Sequence, residues 1–257
     1  FLDQSLERGI SLKPDVIACD AGSTDSGPFY LGSATPKMSC RAVLRDLRRL
    51  LLARDQLKVP LIIGSCGTSG VDSGVDWMRE MTLEVAGEEG LSFKLGRIYS
   101  EQKPESMAQA FQSGNIEALP GAPEIDEQLI QNCSHIVAMM GHEPIVNLLE
   151  KQCDVILCGR ASDTALFSAL PLMRGFLPGP VWHCAKTIEC GAICSTSTRA
   201  DGVFAEIDDN GFSVEPLALD ASCTPLSLAS HTLYENADPY LIREPSGTLD
   251  TEKARYH

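Results

Sequence analysis

Five short apolar runs in this chain each lead directly into glycine, hydroxyl or charged residues. They cover residues 15–20, 59–63, 93–99, 135–140 and 154–158. Continuous apolar runs of this length are typical of parallel strands that are buried on both faces. Because parallel strands end at the same edge of a sheet, where α/β proteins bind ligands, the polar residues that follow should lie together. The sequence therefore predicts a parallel sheet with a site at its carboxyl edge.

In the segments between these runs, apolar residues recur at the intervals that place them on one face of a helix. The clearest is residues 41–54, where leucines recur on one helical face. The alternation predicts an α/β fold over residues 1–200, with a doubly wound, mostly parallel sheet and flanking helices. Residues 201–257 are predicted to begin a smaller α+β segment. From residue 249 we expect the start of a capped helix, which with the first residue Phe1 indicates a fragment of a longer chain.

Composition excludes several classes of protein. The formal net charge of −14 over 257 residues, without a basic stripe, argues against nucleic-acid binding. No apolar stretch approaches the roughly 20 residues that span a bilayer, so no membrane partner is expected. The ten cysteines include no C-x-x-C pair. Free thiols in a chain of this size indicate a reducing compartment, and we expect a cytoplasmic protein.

The first candidate site follows the first apolar run. Asp20 and Asp25 bracket Ser23 and Thr24, so two carboxylates lie beside hydroxyls and freed backbone amides. Carboxylates in such a setting can move a proton, and the hydroxyls can hold a polar substrate. We interpret both aspartates as catalytic. The alternative is a local turn in which these side chains cap their own backbone.

A glycine-rich segment follows the second run. Gly64, Ser65 and Gly67 could offer backbone amides to a substrate carboxylate or phosphate. The segment lacks the lysine of a P-loop, and a plain connection explains it equally well.

Arg160 comes directly after the last run and Gly159. A guanidinium at that edge suits a substrate carboxylate or phosphate, so we assign Arg160 to substrate binding. In the free protein it should pair with Asp20 or Asp25, since an unpaired buried arginine is costly. Asp163 is assigned to the same site, although it could equally be an acidic residue in the first turn of a helix.

Lys186 and Glu189 lie three residues apart in a predicted helix of small and apolar residues over 182–194. The pair is interpreted as catalytic, with a structural ion pair as the alternative. His231, Tyr234 and Glu235 form a similar cluster, which a solvated helix face explains better. No histidine or cysteine spacing fits a metal site, so no metal is expected, and the sequence identifies no cofactor.

Together these segments resemble the acyclic terpene utilisation family, once catalogued as a domain of unknown function. The residues that carry the resemblance are CDAGSTDSGPFYLGS at 19–33, LIIGS at 61–65, GRASDTALF at 159–167, WHCAKTIECG at 182–191 and HTLYENADP at 231–239. The glycine-rich segment departs from the usual form at Cys66 and Thr68. The resemblance implies catabolism of branched acyl compounds, in settings that include acyl-CoA carboxylases.

The leading hypothesis is a catabolic enzyme, or enzyme subunit, that acts on a small carboxylate or acyl-CoA. Proton abstraction or hydration and dehydration is the expected chemistry, with Asp20 or Asp25 as base and Arg160 holding the anion. One alternative is a non-catalytic metabolite-binding or scaffold subunit. Another is an ATPase of the actin and sugar-kinase type, whose phosphate loop residues 20–24 resemble. The sequence is compatible with a homo-oligomer and with a complex that contains a small partner subunit.

Overall fold

The central element is a four-stranded parallel sheet. Its strands are β1 (Ile17–Gly22), β2 (Leu61–Thr68), β3 (Leu95–Ile98) and β4 (Val155–Cys158). Their spatial order is β1, β2, β4, β3, and every neighbouring pair is parallel. The computed structural model describes residues 1–197, 201–208, 210–234 and 236–257. The predicted α/β class is confirmed, as are the strands predicted around 15–20, 59–63, 93–99 and 154–158.

The strand predicted at 135–140 is wrong. This segment makes only isolated bridges, Glu101 with Val137 and Met140 with Ala161. Its backbone hydrogen bonds go to the loops after β3 and β4, where the Ala138 N–H donates to the Ser100 carbonyl at 2.9 Å. The segment therefore crosses the carboxyl ends of these strands instead of joining the ladder. An apolar run of six residues does not distinguish the two placements, and Met139 is in fact 51% exposed.

Helices cover both faces of the sheet. They are α1 (Asp3–Ser11), α2 (Phe29–Ser33), α3 (Cys40–Leu57), α4 (Asp72–Glu89), α5 (Pro104–Gln112), α6 (Glu127–Asn132), α7 (Glu143–Glu150), α8 (Asp163–Met173), α9 (Pro178–Ile188) and α10 (Pro225–His231). Apolar residues of α3 and α4 pack on one face against Leu61 and Ile63. Those of α7 and α8 pack on the other face against Ile62 and Ile156. Alternate strand residues thus serve opposite layers, as the pleat requires.

The neighbouring strands β2 and β4 form a switch point in the topology. The helix that follows β2 is α4, on one face, whereas the helix that follows β4 is α8, on the other. The two loops therefore diverge at the carboxyl edge and leave a crevice, which is where open α/β sheets bind ligands.

The C-terminal segment consists of two antiparallel hairpins and α10. The strands are β5 (Val203–Ile207), β6 (Phe212–Pro216), β7 (Leu241–Glu244) and β8 (Gly247–Asp250). The helix predicted from residue 249 is wrong, because Leu249 belongs to β8 and pairs with Ile242. Both side chains are buried, so tertiary packing overrides the local capping signal. The hairpins contact α9, and the division at residue 200 stays a prediction.

Candidate functional site

Asp20 lies near the end of β1, at the carboxyl edge of the sheet. Its Oδ1 accepts a hydrogen bond from the Gly22 N–H at 3.3 Å, and the side chain is half-buried. Burial raises the pKa of Asp20 to about 7, and the charge of Asp163 adds to the rise. The Gly22 N–H and Arg160 oppose it. The charges of both Asp163 and Arg160 therefore affect the Asp20 carboxyl group.

The three residues after Gly22 that the sequence assigned to the site are exposed. They form a local turn, in which the Asp25 N–H donates to the Ser23 Oγ at 3.1 Å. Thr24 is exposed beside them. Asp25 is thus a surface residue, in contrast to Asp20. Catalysis by Asp25 and substrate binding by Ser23 and Thr24 stay predictions.

The glycine-rich segment is part of a strand, because β2 continues to Thr68 and is buried throughout. A Cβ at Gly64 would lie 2.4 Å from the Leu166 side chain, so close packing against α8 accounts for this glycine. Gly67, at φ +70, packs against Gly74. The buried Ser65 donates its N–H to the Gly159 carbonyl at 3.0 Å. The segment is thus neither a loop nor a flexible connection over 64–68, and substrate binding by Gly64, Ser65 and Gly67 stays a prediction.

Arg160 is fixed by its backbone at the switch point. Its N–H donates to the Ser100 Oγ at 2.7 Å, and the same hydroxyl donates to the Gly70 carbonyl at 2.8 Å. Its Nη1 is buried and makes no hydrogen bond to the described residues. Within the described chain no carboxylate lies within 4.0 Å of the guanidinium, so the predicted ion pair with Asp20 or Asp25 is wrong. The guanidinium charge of Arg160 nevertheless lowers the pKa of Asp20 without a direct contact.

Lys186 and Glu189 form a buried ion pair between Nζ and Oε1. Their side chains are 9% and 5% exposed. Burial raises the pKa of Glu189 to about 7 against the opposing effect of Lys186, and Asp163 and Glu244 contribute to the rise. Burial lowers the pKa of Lys186, but the charge and hydrogen bond of Glu189 outweigh it, so this pKa is raised.

The predicted helix over 182–194 is shorter than expected. Helix α9 ends at Ile188, Glu189 caps it, and Gly191 at φ +59 leads into a 3-10 turn, Gly191–Cys194. Glu189 thus lies at the junction between the helix and this turn. Its carboxyl group affects the pKa of Asp20.

Two residues of the C-terminal segment join this region, and the sequence analysis assigned neither of them to the site. Glu244, at the end of β7, accepts a hydrogen bond from the Ser162 Oγ. His231, at the end of α10, is buried, so the solvated helix face predicted for it is wrong. Glu235 of that predicted cluster lies outside the described residues. No local spacing could reveal Glu244 or His231, because a hairpin and a distant helix bring them in.

We call the group Asp20, Arg160, Asp163, Lys186, Glu189, His231 and Glu244 the acid–base cluster. Beside it lies a hollow of about 10 Å³, lined by residues that include Ser162, Trp182 and Glu244. That volume suits a single water molecule. A larger open groove of about 790 Å³ lies at the other end of the sheet, between Lys13 and Val59. It is remote from the cluster, so this groove and the candidate chemistry do not coincide.

The described residues contain neither a candidate metal site nor a candidate membrane-spanning helix. Within those ranges no group of three or more His, Cys, Asp or Glu side chains is arranged to hold a metal ion. None of the described helices combines the length and apolar character needed to cross a bilayer. None of the ten cysteines, all of which are among the described residues, forms a disulfide.

The cluster is suited to proton transfer. Two carboxyl groups with a pKa of about 7 can each donate or accept a proton at neutral pH. They come from different elements, β1 and the end of α9. Near Asp20 lies the Arg160 guanidinium, which has no ion-pair partner among the described residues. Carboxyl groups of this kind occur at catalytic sites more often than elsewhere.

Comparison with known proteins identifies one family. Residues 43–177, more than half of the chain, match the family described as "Acyclic terpene utilisation family protein AtuA". Neither the curated proteins nor the solved structures give a significant match.

Proposed function

The chain belongs to the acyclic terpene utilisation family, and on this premise we propose that it is a catabolic enzyme or enzyme subunit that transfers protons on a small carboxylate or acyl-CoA. The family supports the catabolic role. The acid–base cluster alone supports the reaction class, which is proton abstraction or hydration and dehydration.

The observation that carries the proposal is the pair of raised carboxyl pKa values. Asp20 and Glu189 each have a pKa of about 7, mainly because they are buried. An acid with a pKa near neutral pH is half ionised there, so the same carboxyl group can act as a general base and, once protonated, as a general acid. We assign the base to Asp20, because it lies at the edge of the sheet near Arg160.

Arg160 is proposed to bind the anionic group of the substrate. Its guanidinium has a buried Nη1 with no hydrogen-bond partner among the described residues, and it forms no close ion pair there. Arginine offers a planar fork that fits a carboxylate or phosphate with two parallel hydrogen bonds. The Lys186–Glu189 pair is proposed to exchange a second proton with the substrate, because the pKa of Glu189 is also about 7.

The ATPase alternative has little support. Proteins of the actin and sugar-kinase type follow the phosphate loop with a second strand of a hairpin. Here the turn at 23–28 leads into α2, and β1 pairs with the parallel strand β2. The scaffold alternative predicts a bound metabolite without turnover, so it is an outcome of the test below.

Ligand-detected NMR with branched carboxylic acids and their acyl-CoA thioesters tests the proposal. We expect at least one member of the panel to bind at or below millimolar concentration, and to bind more weakly to an Arg160→Gln variant. Binding to the wild type without any chemical change would favour the metabolite-binding subunit. If nothing binds at millimolar concentration, the proposed function is wrong.

A further inference from the structure

His231 is a buried histidine whose ring makes no hydrogen bond to the described residues. It is the last residue of α10 and is 4% exposed, and both Nδ1 and Nε2 are buried without a partner. An imidazole always carries polar nitrogens, and a buried polar group that lacks a partner costs free energy. Because such groups are rare in folded proteins, each one needs an explanation, and a ligand is one of the few available.

The surroundings of the ring keep it neutral. Burial lowers the pKa of His231, and the Lys186 ammonium lowers it further. The backbone of Lys186 raises the pKa of His231 by a smaller amount. It does not lie in hydrogen-bonding geometry to either ring nitrogen of His231. At neutral pH the ring therefore carries one N–H donor and one lone pair. The ring stacks on Tyr234 with centroids 6.0 Å apart and planes 19° apart, which limits its orientation.

His231 is also joined to the acid–base cluster. The Lys186 ammonium lowers the pKa of His231, and Lys186 forms an ion pair with Glu189. Glu189 in turn raises the pKa of Asp20. A neutral donor thus lies near Lys186, the ion-pair partner of one of the two carboxyl groups proposed to move a proton. An imidazolium there would face the Lys186 ammonium, so only the neutral ring fits the position.

We propose that His231 contacts the substrate, and that its neutral imidazole N–H donates a hydrogen bond to the carbonyl oxygen of an acyl group. This inference rests on the proposed function. When a carboxylate removes the proton from the carbon next to that carbonyl, the C–H electron pair forms a carbon–carbon double bond. The carbonyl π pair then moves to the oxygen. A fixed donor in a buried position stabilises the negative charge that develops there.

His183 supplies a matched control. Burial also lowers its pKa, but its Nε2 lies 3.1 Å from the Tyr256 hydroxyl and is hydrogen-bonded to it. It therefore has a structural partner where His231 has none. Substituting phenylalanine at either position keeps an aromatic ring and removes the nitrogens.

The experiment compares His231→Phe, His231→Gln and His183→Phe by melting temperature and by ligand-detected NMR with the acyl-CoA panel. We expect His231→Phe to raise the Tm by about 2–6 °C, since it removes an unpaired buried polar group. It should also weaken ligand binding about 10-fold or more, because the substrate oxygen loses its donor. His231→Gln keeps an amide donor and should recover part of the affinity. His183→Phe should lower the Tm and leave binding unchanged.

Binding decides the outcome. If His231→Phe and His231→Gln both bind the ligand as tightly as the wild type, His231 is a packing residue and the inference is overturned, while the proposed function stands. If the wild type binds no member of the panel, the proposed function fails and this inference fails with it.

Discussion

Replacing Asp20 with asparagine should make the protein less sensitive to rising pH. The pKa of Asp20 is raised from 3.8 to about 7, mainly by burial. A carboxyl whose pKa is raised in the folded state favours folding when protonated. Its contribution is therefore complete below about pH 4 and is lost as the pH rises through about 7. Asparagine mimics the protonated form at every pH and keeps the oxygen that accepts the Gly22 N–H.

The magnitude follows from the two pKa values. One pKa unit corresponds to about 1.36 kcal/mol, so the raised pKa of Asp20 lowers the free energy of unfolding by about 4 kcal/mol at pH 8 and by about 1.5 kcal/mol at pH 5, relative to low pH, where the carboxyl is protonated in both states. The difference of about 2.5 kcal/mol corresponds to about 5–10 °C in Tm for a chain of this length. The wild type should lose that much more than Asp20→Asn between pH 5 and pH 8.

Thermal unfolding followed by circular dichroism at several pH values between 5 and 8 measures this difference. The matched control is Asp25→Asn, because Asp25 is exposed in the adjacent turn. Its Tm should follow that of the wild type within about 2 °C. If the Asp20→Asn and wild-type curves stay parallel across this range, Asp20 does not have a raised pKa and the reasoning is refuted.

Two other variants test substrate binding by Arg160 and the close packing of Gly70 against the Arg160 backbone. Arg160→Lys keeps the charge but loses the planar fork, so ligand affinity measured by NMR should fall about 10-fold or more while the Tm changes by less than about 2 °C. A large loss of Tm with unchanged affinity would instead make Arg160 structural. Gly70→Ala would place a Cβ 2.2 Å from the Arg160 nitrogen at φ +74 and should lower the Tm by at least about 5 °C. Gly87→Ala, in α4 with open space around it, should raise the Tm slightly, and equal effects of the two substitutions would contradict the packing argument.

The parallel sheet could be predicted because its inner strands, β2 and β4, are buried on both faces and therefore appear as continuous apolar runs. Residues such as Ile62 and Ile63 serve opposite layers, so no polar residue interrupts the run. The segment 135–140 shows the limit of that signal. It has the same apolar character, but it crosses the strand ends, since its hydrogen-bond partners lie in two loops distant in sequence.

The site could be predicted only where chain order and sheet topology place residues together. Asp20 and Arg160 follow strands of one sheet, so their proximity follows from the topology. The missing ion pair between Arg160 and Asp20 or Asp25 could not be predicted, because the distance between the side chains depends on how each loop folds. Glu244 and His231 come from the C-terminal segment, and only tertiary packing brings them to Ser162 and Lys186.

Deuterium incorporation tests the central claim, which is proton transfer at the acid–base cluster. The protein is incubated in heavy water with the panel of carboxylic acids and acyl-CoA thioesters, and mass spectrometry measures deuterium on the carbon next to the carbonyl. Proton abstraction and reversible hydration both introduce deuterium there. The account predicts incorporation by the wild type and by Asp25→Asn, and a rate about 100-fold or more lower for Asp20→Asn. No incorporation above the protein-free rate, or an Asp20→Asn rate equal to that of the wild type, would contradict it.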